Sequence, residues 1–231
     1  FMGAIHAMNT WIVIPAFNEE NKLNEVVSGL KSKGYAKIVV VDDCSEDNTF
    51  AVAGNSGAVV LKHLINRGQG AALKTGIDYA LKQGADIIVT FDADGQHQAE
   101  DVKKLIQPIV ENKVDVVLGS RFLDNNSNTP LVRKLFLKGG ALIFNLFYGV
   151  KVTDSHNGLR AFSGTAAEQI EITNDGPEHA SEIIEEISKK KLRYVEVPVT
   201  IKYTDYSLHH GQSSWAAFRI LFKMLVKGFL R

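Results

Sequence analysis

Two aspartates separated by one residue, Asp92 and Asp94, are the clearest chemical signal in this sequence. Paired carboxylates on a turn supply the hard oxygen ligands that Mg²⁺ or Mn²⁺ prefers, and such an ion can also hold a diphosphate. The metal would neutralise the charge that develops on a departing nucleoside diphosphate. An Asp-x-Asp pair is a weak signal alone, so its weight depends on the residues that surround it.

Three more carboxylates, Glu19, Asp42 and Asp43, follow two other strand-like segments. Ligands bind beyond the carboxyl ends of the strands in a parallel sheet, so all five carboxylates are expected at one edge. Their mutual repulsion requires a cation or hydrogen-bond donors nearby. Asp42 and Asp43 have a second interpretation as caps of the following helix, and this role is compatible with ligand binding.

Short apolar strands that alternate with amphipathic helices must position these residues. The alternation predicts an α/β fold with a mostly parallel sheet flanked by helices. Strands are predicted at 11–15, 37–41, 58–61, 86–91, 114–118 and 194–201, and helices at 19–33, 47–55, 69–83, 99–112, 131–148, 181–190 and 214–231.

The composition of the 231 residues favours one soluble domain over residues 8–231, and residues 1–7 are interpreted as a leader or an expression remnant. The formal net charge is +0, so no binding to nucleic acid is expected. The single cysteine, Cys44, cannot form an intramolecular disulfide, which favours the cytoplasm. No apolar run approaches the roughly 20 residues that span a bilayer. Membrane association would therefore be peripheral, or through a small transmembrane partner.

Five segments in order, VIPAFNEE, VVDDCSEDNT, NRGQGAALKTGI, TFDADGQHQAED and VLGSRF, resemble the family-two GT-A glycosyltransferases. The closest resemblance is to the polyprenyl-phosphate sugar transferases of the dolichol-phosphate mannose synthase type, over residues 11–162. The resemblance implies a GT-A fold, an Mg²⁺ or Mn²⁺ ion, a nucleotide-sugar donor and a polyprenyl-phosphate acceptor. It also implies direct attack by a phosphate oxygen, with inversion at the anomeric carbon.

The resemblance further implies roles for particular residues on the donor side. Lys74 would be a phosphate ligand, and its alternative is a solvated helix face. The remaining assignments are Pro15, Phe17 and Glu19 at the nucleoside, Val41 and Asp43 at the base and ribose, Asp92, Ala93 and Asp94 around the sugar nucleotide, and Asp92, Asp94 and Gln96 at the metal.

The acceptor side is expected around the segment DSHNGLRAF at 154–162, which resembles a segment beside the catalytic centre of the family. A phosphate acceptor is already anionic near pH 7, so it needs positive charge rather than a general base. Arg121, Arg133 and Arg160 could supply that charge, and structural ion pairing is the alternative for each. A sugar-hydroxyl acceptor would instead require a base, for which Asp154 is the candidate.

Two cationic and apolar helices predict contact with a membrane surface. Helix 214–231 carries Arg219, Lys223, Lys227 and Arg231 at intervals of four residues, and helix 131–148 has a similar character. Such helices lie on anionic lipid, which would place the protein at the inner face of the membrane. The alternative is that both helices pack against the sheet or across a dimer contact, so a homo-oligomer is compatible with the pattern.

Departures from the family pattern leave the donor open. The chain has Gly211-Gln-Ser-Ser214 where such synthases commonly have Gly-Glu-Ser-Lys, and Leu137 stands where a serine is common. UDP-glucose and UDP-N-acetylglucosamine are therefore at least as good candidates for the sugar donor as GDP-mannose. His209 and His210 are candidates to replace the missing lysine at the diphosphate. Two rival functions are sugar transfer to a glycan hydroxyl and a non-catalytic sugar-nucleotide-binding subunit. A dinucleotide site at Gly68-x-Gly70 is excluded because the third glycine is missing.

Overall fold

The computed structural model describes residues 8–124 and 149–202. The leader 1–7, the two helices predicted at 131–148 and 214–231, and the candidates Arg133, Leu137, His209, His210 and Ser214 lie outside these residues. Among the described residues, no helix combines the length and apolar character needed to cross a membrane.

Seven strands form one mixed sheet with helices on both faces. The strands are β1 (Thr10–Ala16), β2 (Ile38–Asp42), β3 (Val59–Lys62), β4 (Ile87–Thr90), β5 (Val116–Ser120), β6 (Arg160–Ser163) and β7 (Tyr194–Pro198). The helices are α1 (Leu23–Ser32), α2 (Thr49–Asn55), α3 (Gln69–Lys82), α4 (Val102–Val110), α5 (Gly164–Gln169) and α6 (His179–Lys189), with a 3₁₀ turn at Ala99–Asp101 before α4.

The sheet order is β3-β2-β1-β4-β6-β5-β7. β6 pairs antiparallel with both β4 and β5, and the other pairings are parallel. The predicted mostly parallel α/β sheet is therefore confirmed. β6 and α5 were not predicted, because β6 follows an irregular segment outside the strand–helix alternation and the six residues of α5 are too few to show apolar periodicity.

Alternation along β1 explains why its apolar run is continuous. Ile12 and Ile14 belong to the core on one face of the sheet, while Val13 belongs to the core on the other. Both faces are covered by helices, as is usual for parallel strands. Gly76 of α3 allows a close approach, since a Cβ there would lie 2.3 Å from Cγ1 of Val13. The parallel strands are thereby packed on both faces, with their carboxyl ends at one edge of the sheet.

Candidate active site

The segments that follow β1 and β2 are bound to each other at this edge. The amide of Asn18 donates to Oγ of Ser45 (2.9 Å), and the amide of Glu19 donates to Oγ1 of Thr49 (2.7 Å). Asn18 has a positive φ of 56°, a conformation that asparagine tolerates better than most residues. Phe17, one residue earlier, is 44% exposed, so its ring is available to a ligand.

Asp43 organises the segment between β3 and α3. Its carboxylate accepts hydrogen bonds from the amides of Arg67 (3.0 Å) and Gly68 (2.6 Å), and it contacts Nδ1 of His63 at 2.6 Å. Nε2 of His63 lies 2.9 Å from Oγ1 of Thr75 in α3. Asp43 therefore joins the end of β2 to the start of α3, and any contact with a base would be additional to this structural role.

The helix-capping interpretation of Asp42 and Asp43 is wrong. The amide of Thr49, at the start of α2, donates to Asp47 (2.9 Å) instead. Asp42 accepts from the amide of Ser45 at 3.1 Å, and its other oxygen lies 3.7 Å from Nζ of Lys62. Both predicted carboxylates thus serve the loops at the sheet edge rather than the helix.

The Asp92 carboxylate, just beyond β4, contacts two side chains and lies against a glycine. Its Oδ2 lies 2.9 Å from Nε2 of His97, and its Oδ1 accepts from the side-chain amide of Gln69 at 3.2 Å. Gly158 leaves room for this carboxylate, because a Cβ there would lie 2.3 Å from Oδ2. Burial alone would raise the pKa of Asp92, but the hydrogen bond and charge of His97, with further help from Arg121, lower it. Asp92 is therefore ionised at neutral pH.

Asp94 and Gln96 form the turn that follows. Oδ1 of Asp94 accepts from the backbone amide of Gln96 at 2.9 Å, and Gly95 between them has a φ of 75°. The carbonyl of Gln96 accepts from the amide of Lys202 (2.9 Å), which fixes the turn against the segment after β7. Asp94 thus lies on a turn that the chain holds in place, two residues after Asp92, and their shared metal role stays a prediction.

Arg121 and Asp154 form a buried ion pair beyond β5. Nε of Arg121 donates to Oδ2 of Asp154 at 2.6 Å, and the backbone amide of Arg121 donates to the same oxygen at 3.2 Å. The other oxygen of Asp154 is buried and has no hydrogen-bond partner among the described residues. Glu196 of β7 supports the pair by accepting from the amides of Thr153 (2.8 Å) and Asp154 (3.1 Å). These contacts fit the alternative interpretation of Arg121, in which it forms a structural ion pair.

Arg160 lies deeper and binds backbone carbonyls instead. It is 3% exposed and donates to the carbonyls of Asn157 (2.9 Å), Ser155 (3.0 Å) and Ala180 (3.1 Å). Burial lowers the pKa of Arg160 to about 10, which leaves it charged at neutral pH. These contacts tie the segment before β6 to the start of α6, and a direct contact with an acceptor phosphate stays a prediction.

Lys74 lies on α3 and pairs with Asp78. The two side chains are 42% and 44% exposed, and Nζ lies 2.6 Å from Oδ1 of Asp78. These contacts match the solvated-helix alternative, so its phosphate role stays a prediction without a supporting contact. Pro15, Val41 and Ala93 are buried in or beside the strands, where they can shape a ligand site through their backbone and surface.

The sequence model of glycosyl transferase family 2 matches residues 11–171, which include the carboxyl ends of β1 to β6. This chain belongs to glycosyl transferase family 2. The GT-A fold is likewise found in glucosyl-3-phosphoglycerate synthase from Mycobacterium tuberculosis, crystallised with Mn²⁺ and UDP-glucose. That structure matches with a TM-score of 0.75 and 18% identity, over 98% of this chain and 80% of that chain.

Three relatives of this glycosyltransferase align over nearly its whole length. An uncharacterised protein of Methanocaldococcus jannaschii is 44% identical over 98% of this chain and 95% of its own length. The UDP-N-acetylglucosamine–dolichyl-phosphate N-acetylglucosaminyltransferase of Methanococcus voltae is 37% identical over 94% of both chains. The dolichol-phosphate mannosyltransferase of Pyrococcus furiosus is 29% identical over 94% of this chain and 64% of its own.

The donor set of the transferase fits a metal ion that arrives with a diphosphate. Among the described residues, no group of three or more His, Cys, Asp or Glu side chains could hold a metal by itself. Mg²⁺ is commonly held by one or two carboxylates together with substrate phosphates, not by an all-protein cage. Asp92 and Asp94 supply such carboxylates at the sheet edge, so the phosphates of the donor would complete the coordination.

Several residues that support the site were missed by sequence reasoning. His63, Gln69, His97, Gly158 and Glu196 each contact or make room for a predicted site residue. His97 and Gln69 lie inside the segments that carry the family resemblance, so position alone could have drawn attention to them. Nothing in the sequence pointed to Glu196, because a single glutamate in a short strand is normally interpreted as a residue on the solvent face of that strand.

Proposed function

We propose that this chain transfers a sugar from a nucleotide sugar to a polyprenyl phosphate, with inversion at the anomeric carbon. UDP-N-acetylglucosamine is the first donor to test, because the Methanococcus voltae relative that uses it aligns over 94% of both chains. The departures at Leu137 and Ser214 from the mannose-synthase pattern also favour a UDP-sugar over GDP-mannose.

The buried pair of Arg121 and Asp154 is the observation that carries the choice of acceptor. A sugar hydroxyl must lose its proton as it attacks, so it needs a base within hydrogen-bond reach. Asp154 is the predicted base, yet Arg121 holds one of its oxygens and the other is buried. A phosphate oxygen is already anionic and needs only to be positioned by positive charge. The pair therefore suits a phosphate acceptor better than a hydroxyl.

The chemistry is a single displacement. A nonbridging oxygen of the acceptor phosphate forms a bond to the anomeric carbon while the bond from that carbon to the nucleoside diphosphate breaks. The diphosphate leaves with the electron pair, and no protein group needs to accept a proton. A divalent metal, when bound, would neutralise the negative charge on the leaving group. Asp92 and Asp94 would hold that ion, and Arg121, fixed by Asp154, would orient the acceptor.

The proposed acceptor places the reaction at a membrane surface. A polyprenyl chain is insoluble in water, so the phosphate is presented at the lipid interface, and a peripheral protein at the cytoplasmic face could reach it. The two cationic helices predicted at 131–148 and 214–231 would add electrostatic attraction to anionic lipid. A small transmembrane partner is a further proposal of the same kind.

The test is sugar transfer by the purified chain in detergent. Labelled UDP-N-acetylglucosamine, UDP-glucose and GDP-mannose are each supplied with Mn²⁺ and polyprenyl phosphate, and the label that moves into an organic solvent is measured. We expect one donor to give a lipid-soluble product, and both Asp94→Asn and removal of Mn²⁺ to reduce the rate at least about 10²-fold.

Asp115→Asn is the control, because it makes the same substitution at an aspartate that pairs with Arg193 at the start of β5, the end opposite to the site. It should leave the rate unchanged. Label that moves only into a water-soluble glycan would favour the hydroxyl-acceptor rival. Donor binding without turnover on any acceptor, together with full cellular function of Asp94→Asn, would favour the non-catalytic subunit.

A further inference from the structure

Large apolar side chains that are exposed to solvent are unevenly distributed over the described residues. Isolated exposed apolar residues are normal on a protein surface and need no explanation. Here, however, two are adjacent in sequence and far more exposed than the rest: Leu64 at 94% and Ile65 at 68%. The complete set is Phe17, Phe50, Val59, Leu64, Ile65, Leu123 and Val195.

The topology places five of these seven residues at the carboxyl edge of the sheet. Phe17 follows β1, Leu64 and Ile65 follow β3, and Leu123 follows β5. Phe50 is near the start of α2, which begins shortly after the end of β2. Because β1, β2, β3 and β5 run in the same direction, these positions lie along the edge that carries the candidate active site.

The tip formed by Leu64 and Ile65 is held in place by its own flanks. On one side, His63 donates its amide to the carbonyl of Asp42 (2.9 Å). On the other side, the amides of Arg67 and Gly68 donate to the Asp43 carboxylate. A tip that is anchored at both ends keeps its apolar side chains in water at a fixed position, so little conformational entropy is lost when it meets a surface.

Basic side chains flank the tip on both sides. Lys62, at the end of β3, is 44% exposed and lies 3.7 Å from Oδ2 of Asp42. Arg67 is 51% exposed and lies 3.3 Å from Oδ1 of Asp175, so both cations are paired but still face solvent. An apolar tip between cationic residues fits the boundary between acyl chains and anionic headgroups, where the aliphatic groups enter the lipid and the charges remain at the headgroups.

We propose that the carboxyl edge of the sheet docks on an anionic bilayer through the tip Leu64-Ile65. The choice of a lipid surface rests on the proposed function, since a lipid-linked phosphate has to reach Asp92, Asp94 and Arg121 along this edge. Neighbouring strands are about 4.8 Å apart, so the tip after β3 lies roughly 15 Å from the end of β4. One lipid surface can therefore meet the tip and the site opening together. The tip residues belong to neither of the two segments at 131–148 and 214–231.

Flotation of the full chain with vesicles tests the proposal. The vesicles contain phosphatidylcholine and phosphatidylglycerol, and the variant carries Leu64→Ser and Ile65→Ser. The matched control carries Val59→Ser and Val195→Ser, which remove exposed apolar side chains from the opposite edge of the sheet. We expect the partition coefficient of the tip variant to fall roughly tenfold or more, and that of the control to stay within about twofold of the unchanged chain.

Three results would overturn the proposal. The first is equal partitioning of the two variants, or no partitioning of the unchanged chain. The second is loss of donor binding by the tip variant in calorimetry, which would assign the tip to the donor site. The third is a change of oligomeric state of the tip variant in sedimentation, which would assign the tip to a contact between copies.

The transfer assay in detergent separates this proposal from the proposed function. It needs no bilayer, so the tip variant should retain its rate there while it loses vesicle binding. Failure of the unchanged chain to glycosylate polyprenyl phosphate in detergent would contradict the proposed function. Vesicle binding that depends on the tip would still support the docking surface in that case.

Discussion

The ion pair between Arg121 and Asp154 predicts a selective loss of acceptor use at the scale of single residues. Asp154→Asn removes the charge that fixes Arg121, so kcat/KM for polyprenyl phosphate should fall by about 10²-fold while donor affinity changes little. Removal of one partner from a buried pair should also lower the free energy of unfolding by about 3–5 kcal/mol. Steady-state kinetics and urea denaturation measure the two effects.

Arg121→Lys is the companion variant, and Asp115→Asn is the control, because its partner Arg193 is exposed to solvent. Arg121→Lys keeps a positive charge but loses the Nε–H that Asp154 binds, so it should share the acceptor defect. Full activity of Arg121→Lys together with an inactive Asp154→Asn would indicate that Asp154 acts as a base.

Gly158→Ala should disable the site through Asp92. The added Cβ would lie 2.3 Å from the Asp92 carboxylate, so that carboxylate or the backbone at 158 must move. We expect metal-dependent donor binding, measured by calorimetry, to weaken at least about tenfold. Gly29→Ala is the control, because no atom lies within 4 Å of its added Cβ and Gly29 is inside α1. It should stabilise the protein by up to about 1 kcal/mol with unchanged donor binding.

The residue types of the site could be predicted from the sequence, but their partners could not. Asp92 and Asp94 were found because an Asp-x-Asp pair at the end of a buried strand has a recognisable chemistry. His63 contacts the Asp43 carboxylate, Arg121 donates to the Asp154 carboxylate, and Glu196 accepts from the Asp154 amide; only the folded chain brings these groups close. Whether a carboxylate faces a ligand or binds the protein is therefore decided by tertiary contacts.

At the scale of elements, the start of α6 should make stability depend on pH. His179 is 5% exposed, and Nδ1 contacts the carbonyl of Gly176 at 2.8 Å. Burial, followed by the charge of Arg160, lowers the pKa of His179 to about 4. The unfolded chain therefore binds a proton near pH 6.5 that the folded chain binds only near pH 4. The stability that comes from burying His179 in its neutral form is fully present above about pH 6.5 and is lost as the pH falls towards 4.

Urea denaturation between pH 8 and pH 5 measures this contribution. His179→Asn keeps an N–H near the position of Nδ1 but cannot titrate. Its free energy of unfolding should depend on pH less steeply than that of the unchanged chain below pH 6.5, by up to about 1.4 kcal/mol per pH unit. Above pH 7 the two slopes should agree. Identical slopes below pH 6.5 would mean that His179 is protonated as easily in the folded chain as in the unfolded chain.

Elements within the regular alternation of strands and helices were predictable, and those outside it were not. α3 begins at Gln69, as the apolar spacing predicts, and β1 extends one residue beyond the predicted range at each end. β6 escaped because its four residues follow an irregular segment and pair antiparallel on both sides. Its place between β4 and β5 depends on long-range pairing, which no local pattern of residues encodes.

At the scale of the whole molecule, donor and metal should stabilise the fold together. A ligand that binds only the folded state at 100 times its Kd adds about 2.7 kcal/mol, which raises Tm by roughly 5–10 °C for a domain of this size. We expect this shift with the correct donor plus Mn²⁺, and a much smaller one with either alone. Calorimetric scans measure it, and Asp94→Asn should abolish the synergy. An equal shift with donor alone would argue against a metal-held diphosphate.

The most direct test of the central claim compares polyprenyl phosphate with the corresponding polyprenol as acceptors under identical conditions. We predict transfer to the phosphate alone, because Asp154, the candidate base, is buried and paired with Arg121. We also predict a product whose anomeric configuration is opposite to that of the donor. Transfer to polyprenol at a comparable rate, or a product that keeps the donor's configuration, would contradict the central claim.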